Sequence, residues 1–240
     1  FMKAKQAIDN IESQIQLIDE DIKAIRKALS DLEEQEQKNS GRVVHALDMF
    51  EELQKEVTSD PDHYGSALPE IEKQIGNIQS EFSQFVTLNS SGDPVEAAEI
   101  LDTAENHIVA LKQIVERVPE IVTALQAKLP DQLEDLESGY RKLLESGYHF
   151  TETDIESRFQ QLHASLKNNM ANVSALELDN AIYENEQIQE EIDALYHIFT
   201  REIESQKVVK KLVKQLPGYL KHAKDNNSNL AAEVERLGKT

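Results

Sequence analysis

The chain has no cysteine and no tryptophan, and aromatic residues make up only 5% of its 240 positions. Without cysteine there is no disulfide, no zinc–thiolate site and no thiol nucleophile, and a reducing compartment is compatible with the sequence. Positive charge is also scarce: 25 Lys and Arg stand against 45 Asp and Glu, a formal net charge of −20. Such a surface repels nucleic-acid phosphates and anionic lipid head groups, so neither is a first expectation as a partner. No apolar run approaches the ~20 residues needed to cross a bilayer, and no signal peptide is evident. The first residue is Phe1 rather than Met, so the chain reads as a piece of a longer protein. Apolar residues amount to 39%, thin for a compact globule and ordinary for long helices that bury a single stripe.

What the chain does have is heptads. Phe1, Ala4, Ile8, Ile11, Ile15, Ile18, Ile22, Ile25, Leu29 and Leu32 follow one another at alternating steps of three and four, which keeps one narrow seam facing a neighbouring helix. The register passes through polar Glu36 and Asn39, beside Ser40-Gly41 where a kink is expected, and resumes with Val43, Ala46, Phe50, Leu53 and Val57. The turn signal Thr58-Ser59-Asp60-Pro61-Asp62 ends it. A helix of ~55 residues is roughly 80 Å long. A second helix carries Ile71, Ile75, Ile78, Phe82 and Val86 on one face and stops at Asn89-Ser90-Ser91-Gly92-Asp93-Pro94, with Asp93 placed to cap and Pro94 to start the next. The third runs from Val95 with Ala98, Leu101, Ala104, Ile108, Leu111, Val115, Val118, Val122, Leu125 and Leu129 in phase, and carries on to Leu133, Leu136, Tyr140 and Leu143. Pro119 and Pro130 are expected to bend or break it, because each costs ~3 kcal/mol in a helix interior.

The chain also matches itself at a shift of 84 residues: Tyr64 falls on Tyr148, Ile71 on Ile155, Ile78 on Leu162, Phe82 on Leu166, Ala97 on Ala181 and Ile108 on Ile192. Further on the match slips by three, so that Leu129-Pro130 falls on Leu216-Pro217. One offset held across a turn and two helices points to a structural repeat. A short helix and a long one per repeat suggest triple-helical units in which the long helix ends one bundle and begins the next. The expected fold is therefore all-α, an elongated rod of tandem triple-helical bundles. Its parts are a long heptad helix at 1–58, a first repeat region at 59–146 and a second, incomplete one at 147–240.

Residues 137–150 read Glu-Ser-Gly-Tyr-Arg-Lys-Leu-Leu-Glu-Ser-Gly-Tyr-His-Phe, a Gly-Tyr pair given twice (Gly139-Tyr140 and Gly147-Tyr148) shortly after Leu129-Pro130-Asp131-Gln132-Leu133. Together with Val118-Pro119-Glu120-Ile121, this resembles the first repeat region of EzrA, the septation ring formation regulator of Gram-positive bacteria. The resemblance implies spectrin-like repeats on the cytoplasmic side of the bacterial membrane at the division septum, behind one N-terminal transmembrane anchor. It also implies binding to FtsZ, limits on septation ring assembly, and scaffolding of other cell-division proteins. The Gly-Tyr motif is read as a fold marker. Gly147 is expected to end a helix at positive φ, Tyr148 to pack on the bundle end, and mid-helix Gly139 to allow close approach of a neighbour.

Residues suited to chemistry are not arranged for it. The seven histidines (His45, His63, His107, His149, His163, His197 and His222) are scattered, and none forms the helical pair with an intervening Glu that holds catalytic zinc. Glu33-Glu34, Glu51-Glu52 and Glu190-Glu191 lie off the apolar stripe, where carboxylates solvate a helix. Asp60-Pro61-Asp62 has too few ligands for calcium, and there is no phosphate-cradling loop or nucleophile elbow. The reading is a protein that is not an enzyme and takes no cofactor or metal.

One local reversal of charge stands out. Residues 205–224 hold Lys207, Lys210, Lys211, Lys214, Lys221 and Lys224 and no acid. Either the stretch docks an acidic partner or a neighbouring copy, or it is a solvated face whose lysine stems cover apolar surface. Tyr140 and Tyr148 are the other candidate partner contacts. Two rival classes stay open: a structural coiled-coil spacer, and a membrane-associated helical module, which needs a basic face that this acidic chain mostly lacks.

Overall fold

A computed structural model describes residues 2–150 and 154–238, and every regular element among them is helical. The order is α1 (Met2–Ser59), a 3-10 segment (Pro61–Ala67), α2 (Leu68–Ser91), α3 (Pro94–Thr123), a π turn (Ala124–Lys128), α4 (Leu129–Glu145), α5 (Ile155–Ser174) and α6 (Leu178–Leu237). The all-α class read from the heptads is what the chain adopts. Phe1, the first position of the heptad series, lies outside the described residues. α1 has 58 residues, about 87 Å at 1.5 Å per residue. It runs through Ser40-Gly41 without interruption.

The chain divides into two compact units, Phe1–Val122 with Ala171–Leu178 and Thr123–Met170 with Asp179–Thr240. The first is a three-helix bundle. Phe50 of α1 meets Phe82 of α2 edge to face at 5.7 Å between ring centroids, and Arg42 of α1 pairs with Asp102 and Glu105 of α3. Glu81 of α2 meets His107 of α3. The α2 face is Ile71, Ile75, Ile78, Phe82 and Phe85, all below 8% exposed, whereas Val86 is 58% exposed. This corrects the helix-face reading, because the seam steps by three rather than four after Phe82. In α3 the buried alanine is likewise Ala97, with Ala98 only half-buried.

Asn39, one of the polar interruptions of the α1 heptads, is fully buried. Its Nδ2 donates to the Pro94 carbonyl oxygen at 2.7 Å, and its Oδ1 accepts from Gln35 Nε2 at 3.0 Å. A first-turn carbonyl of α3 and the polar seam residue of α1 thus satisfy each other, which is what burial of either requires.

The second unit is again three helices around one core, with Ile155, Leu162, Ile188, Ile192 and Leu195 at most 3% exposed. Tyr140 of α4 contacts Phe159 of α5 and stacks on Phe199 of α6. The repeat offset maps Ile71 on Ile155, Ile78 on Leu162 and Leu111 on Leu195, buried in both units. It also maps Phe85 on Asn169 and Leu101 on Asn185. Where the first unit places two large apolar residues, the second places an amide pair: Asn169 Nδ2 donates to Asn185 Oδ1 and to the Ala181 carbonyl oxygen, each at 2.9 Å.

The repeat extends to the backbone of the inter-helix turns. At the end of α2, Gly92 N–H donates to Asn89 O and Asp93 N–H to Leu88 O; at the end of α5, Leu176 donates to Val173 O and Glu177 to Asn172 O. Each bond falls 84 residues from its counterpart, and both turns use a left-handed residue, Gly92 at φ 87 and Leu176 at φ 59. A leucine there sustains the strain that glycine avoids, of order 1–2 kcal/mol. Gly147 takes the same role after α4, at φ 80, with Gly147 N–H donating to Leu144 O and Tyr148 N–H to Leu143 O.

Close approach is not the reason for Gly139, since a Cβ there would meet nothing within 4 Å. Gly139→Ala is therefore expected to raise stability by about 1 kcal/mol through helix propensity alone. Gly92→Ala, equally free of contacts but at positive φ, is expected to lower it by about the same amount. Thermal unfolding followed by circular dichroism of the two variants checks both signs.

α3 continues through Pro119 to Thr123, so no break occurs at that proline. The irregularity comes at the π turn that follows, where Leu129 N–H donates five residues back to Ala124 O. It has a cause in the sequence. The buried seam of α3 alternates threes and fours through Val115, Val118, Val122 and Leu125, then takes two successive fours to Leu129 and Leu133. An α-helix would rotate that extra residue off the seam by about 100°, and a π turn absorbs it. Pro130 fits the same place: it has no N–H to close an α-helical bond, and the wider turn relieves its clash with the preceding carbonyl.

Candidate interaction surface

The lysines singled out in the sequence sit on α6 beyond the part that its bundle covers. Lys207, Lys210, Lys211 and Lys214 are all exposed. At spacings of three, four and seven they form one stripe along the helix. Gln206, just before the stripe, donates from Nε2 to the Gly147 carbonyl oxygen at 3.3 Å, and Lys210 Nζ lies 5.6 Å from the centre of the Tyr148 ring. A cation over a tyrosine face is worth about 0.5–1 kcal/mol at an exposed site. The Gly147-Tyr148 turn and the lysine stripe are thus brought together, and Tyr148 serves as a side wall to the cations.

Tyr140, the other tyrosine of the doubled motif, is not beside them. It stands in an aromatic cluster with Phe150, Phe159 and Phe199, at centroid distances of 5.4–5.7 Å. Burial raises its pKa above the ordinary phenol value, with Glu156 and Asp154 adding to the shift. Gly139 is half-buried in α4, Pro119 and Pro130 are half-buried on either side of the π turn, and Gly147 is exposed. None of these four presents a functional group.

A few other charged side chains tie helices together within their own units. Arg42 grips Glu105 with two bonds, Nε to Oε1 at 3.2 Å and Nη2 to Oε2 at 2.6 Å, and also bonds Asp102. These hydrogen bonds, Glu105 first and Asp102 second, raise the guanidinium pKa, and Glu191 does the same for Arg158. His107 and Glu81 are joined at 2.7 Å, as are His163 and Glu137. Both imidazoles are more than half exposed, so these pairs are surface links of about 0–1 kcal/mol. Among the described residues no group of three or more His, Cys, Asp or Glu is placed to hold a metal ion, and no helix is long and apolar enough to cross a membrane.

The most extensive surface is one that sequence reasoning treated as covered. The α1 seam is 1–5% exposed from Ala46 to Val57, but Ile8, Ile11, Ile15, Ile18, Ile22, Ile25, Leu29 and Leu32 are 37–65% exposed. α6 behaves alike: Ile188, Ile192, Leu195 and Phe199 are buried, while Val209, Val213, Leu216 and Leu220, next along the same register, are 53–62% exposed. Helix lengths carry the signal that was available, since α2 has 24 residues and α3 has 30 against 58 in α1.

The family model described as "Septation ring formation regulator, EzrA" matches residues 1–240. The septation ring formation regulator EzrA of Streptococcus sanguinis is 75% identical over 240 residues, that of Streptococcus gordonii 68% over 239, and that of a Streptococcus pneumoniae strain 66% over 240. Each alignment covers 100% of this chain and 42% of the relative, so the chain spans less than half the length of the proteins it matches. No solved structure matches it. With a family model matched over every residue and relatives at this identity, the chain belongs to the EzrA family of septation ring formation regulators.

Proposed function

We propose that this chain is a non-enzymatic scaffold segment of a cell-division regulator that binds FtsZ, limits septation ring assembly and docks other division proteins. The carrying observation is the match of the whole chain to regulators named for septation ring formation. The geometry supports a binding role. Within the two bundles apolar residues fill the cores, and a stripe of four lysines is left facing solvent on a chain of formal net charge −20. That stripe suits an acidic segment of a partner. In this reading the longer protein is held by an N-terminal anchor on the cytoplasmic face of the membrane, at the septum.

The test is sedimentation of FtsZ polymer formed with GTP in the presence of the chain. The expected result is a dose-dependent fall in pelleted polymer, or bundling with co-pelleting of the chain. Changing Lys207, Lys210, Lys211 and Lys214 together to Gln is expected to weaken the effect about tenfold. Neither an effect nor co-pelleting would assign the chain to the spacer class instead.

A further inference from the structure

The 84-residue repeat exposes one layer at which the two units part. Gln74 of α2 and His107 of α3 fall on Arg158 of α5 and Glu191 of α6. In the second unit that arginine, 20% exposed, bonds Glu191 and ties its two helices together. In the first unit glutamine stands in its place, and a groove of about 490 Å³ runs between α2 and α3. Glu70, Gln74, Asn77, Glu81, Gln84 and His107 are among the residues that line it. Glu81 is the least exposed acid of this wall, with its side chain 16% exposed. Its Oε1 meets His107 Nδ1 at 2.7 Å, while Oε2 is enclosed and receives no hydrogen bond from the protein. Among the described residues lining the groove there is no Lys or Arg. Lys73, nearby on α2, is held by Glu70 at 3.0 and 3.1 Å. A carboxylate oxygen kept from water without a donor is costly, and a cation is the partner that relieves it.

We propose that this groove receives an arginine from a basic segment of a partner protein, with the guanidinium bonded to the Glu81 carboxylate. A guanidinium suits it better than an ammonium, because its planar fork matches a carboxylate and is less strongly hydrated. The N–H groups not used on Glu81 find acceptors in the amide oxygens of Gln74, Asn77 and Gln84. Rotation about the last bond of Glu81, a soft torsion, brings Oε2 to the groove. The arginine comes from another protein rather than from a second copy. Two chains of formal net charge −20 repel each other, whereas a basic segment is drawn in. The groove lies in the covered stretch of the first bundle, where Phe82 packs on Phe50. It rests neither on FtsZ binding nor on the lysine stripe.

The probe is the pentapeptide acetyl-Ala-Ala-Arg-Ala-Ala-amide, with citrulline in place of arginine as its uncharged isostere. Binding is read from NMR shifts of the His107 ring protons, whose signals are those lost in His107→Gln. The expected result is saturation with a Kd of about 1–10 mM, and binding of the citrulline peptide at least about tenfold weaker. Glu81→Gln should abolish binding. Glu72→Gln, which removes the same charge from an exposed position of α2, should change it by less than about twofold. Gln74→Arg, which places the arginine of the second unit in the first, should fill the groove from within and weaken the peptide at least about tenfold. Circular dichroism of each variant checks that the helices are intact. Equal affinity for the two peptides overturns the proposal, as does binding that survives Glu81→Gln, or no binding up to about 100 mM. Tighter binding of free putrescine than of the peptide would make the groove an amine site and overturns it too. So does binding by this chain that is lost at the full length of its relatives, since flanking chain would then fill the groove.

Discussion

Deleting Gln126 while replacing Pro130 by Ala is expected to leave the protein fully folded, with its melting temperature within about 4 °C of the parent, a change of about 1 kcal/mol. Deleting Ala110 is expected to lower it by more than about 10 °C. Both deleted residues are exposed, so neither loss removes a core side chain, and only helical phase separates the outcomes. Gln126 lies in the π turn, which holds one residue more than an α-helical turn. Its removal lets the turn relax to α while Leu125 and Leu133 keep their faces. Pro130 must go as well, because inside a regular helix it would add about 3 kcal/mol of its own. Ala110 lies where α3 is already regular. Removing it rotates Leu111, Val115 and Val118 by about 100° relative to Leu101, Ala104 and Ile108. Six side chains now at most 1% exposed could then no longer share one seam. Circular dichroism melts of the two deletions decide the matter. Equal damage from both would mean that the π turn is not a store for the extra residue.

That extra residue was present in the sequence as the step of four and four through Leu125, Leu129 and Leu133. It was hidden because a seam drawn through apolar residues tolerates one odd step in eight heptads or so. Prolines drew attention instead, and Pro119 turned out to sit in a continuous helix. The helices, the turn at Asn89–Pro94 and the 84-residue repeat were legible because period and turn chemistry are local properties. Which face is covered is not local. Ile8 and Phe50 occupy equivalent seam positions, and only the reach of α2 and α3 decides that one is exposed and the other buried. The same holds for Val86 and Phe85, where two apolar neighbours compete and packing against α1 and α3 selects the second. For the lysine stripe, composition and spacing were legible beforehand. The closeness of Tyr148, 62 residues before Lys210, came only from the fold of α4 back toward α6.

The amide pair of the second unit shows a limit of pattern reading with an energetic consequence. Asn169→Ala is expected to destabilise that unit by about 2–3 kcal/mol. Deletion opens a gap beside Ala181 and Asn185 and removes the two 2.9 Å bonds that tie α5 to α6 there, each worth about 0.5–1.5 kcal/mol net, with the lost packing added. Asn169→Leu with Asn185→Leu should recover most of that loss, because replacing both partners by apolar groups fills the gap and leaves no polar pair to break. The measurement can be confined to the second unit. There is no Trp, and of the six tyrosines only Tyr64 lies in the first unit. In a Tyr64→Phe background, tyrosine fluorescence during urea unfolding therefore reports the second unit alone. Asn39→Ala, which breaks the buried asparagine contact of the first unit, should leave that signal in place. Equal loss from Asn169→Ala and from the double leucine variant would mean that the site rejects apolar bulk. Loss from neither would mean that the buried amides contribute no net stability. Repayment by the double leucine has a further consequence for the repeat. Unit one already uses Phe85 and Leu101 at these positions, so an amide pair in unit two is not needed to close a bundle of this kind. What it adds is a polar match available in only one register of α5 against α6, the use for which a buried asparagine in a helical seam is best suited.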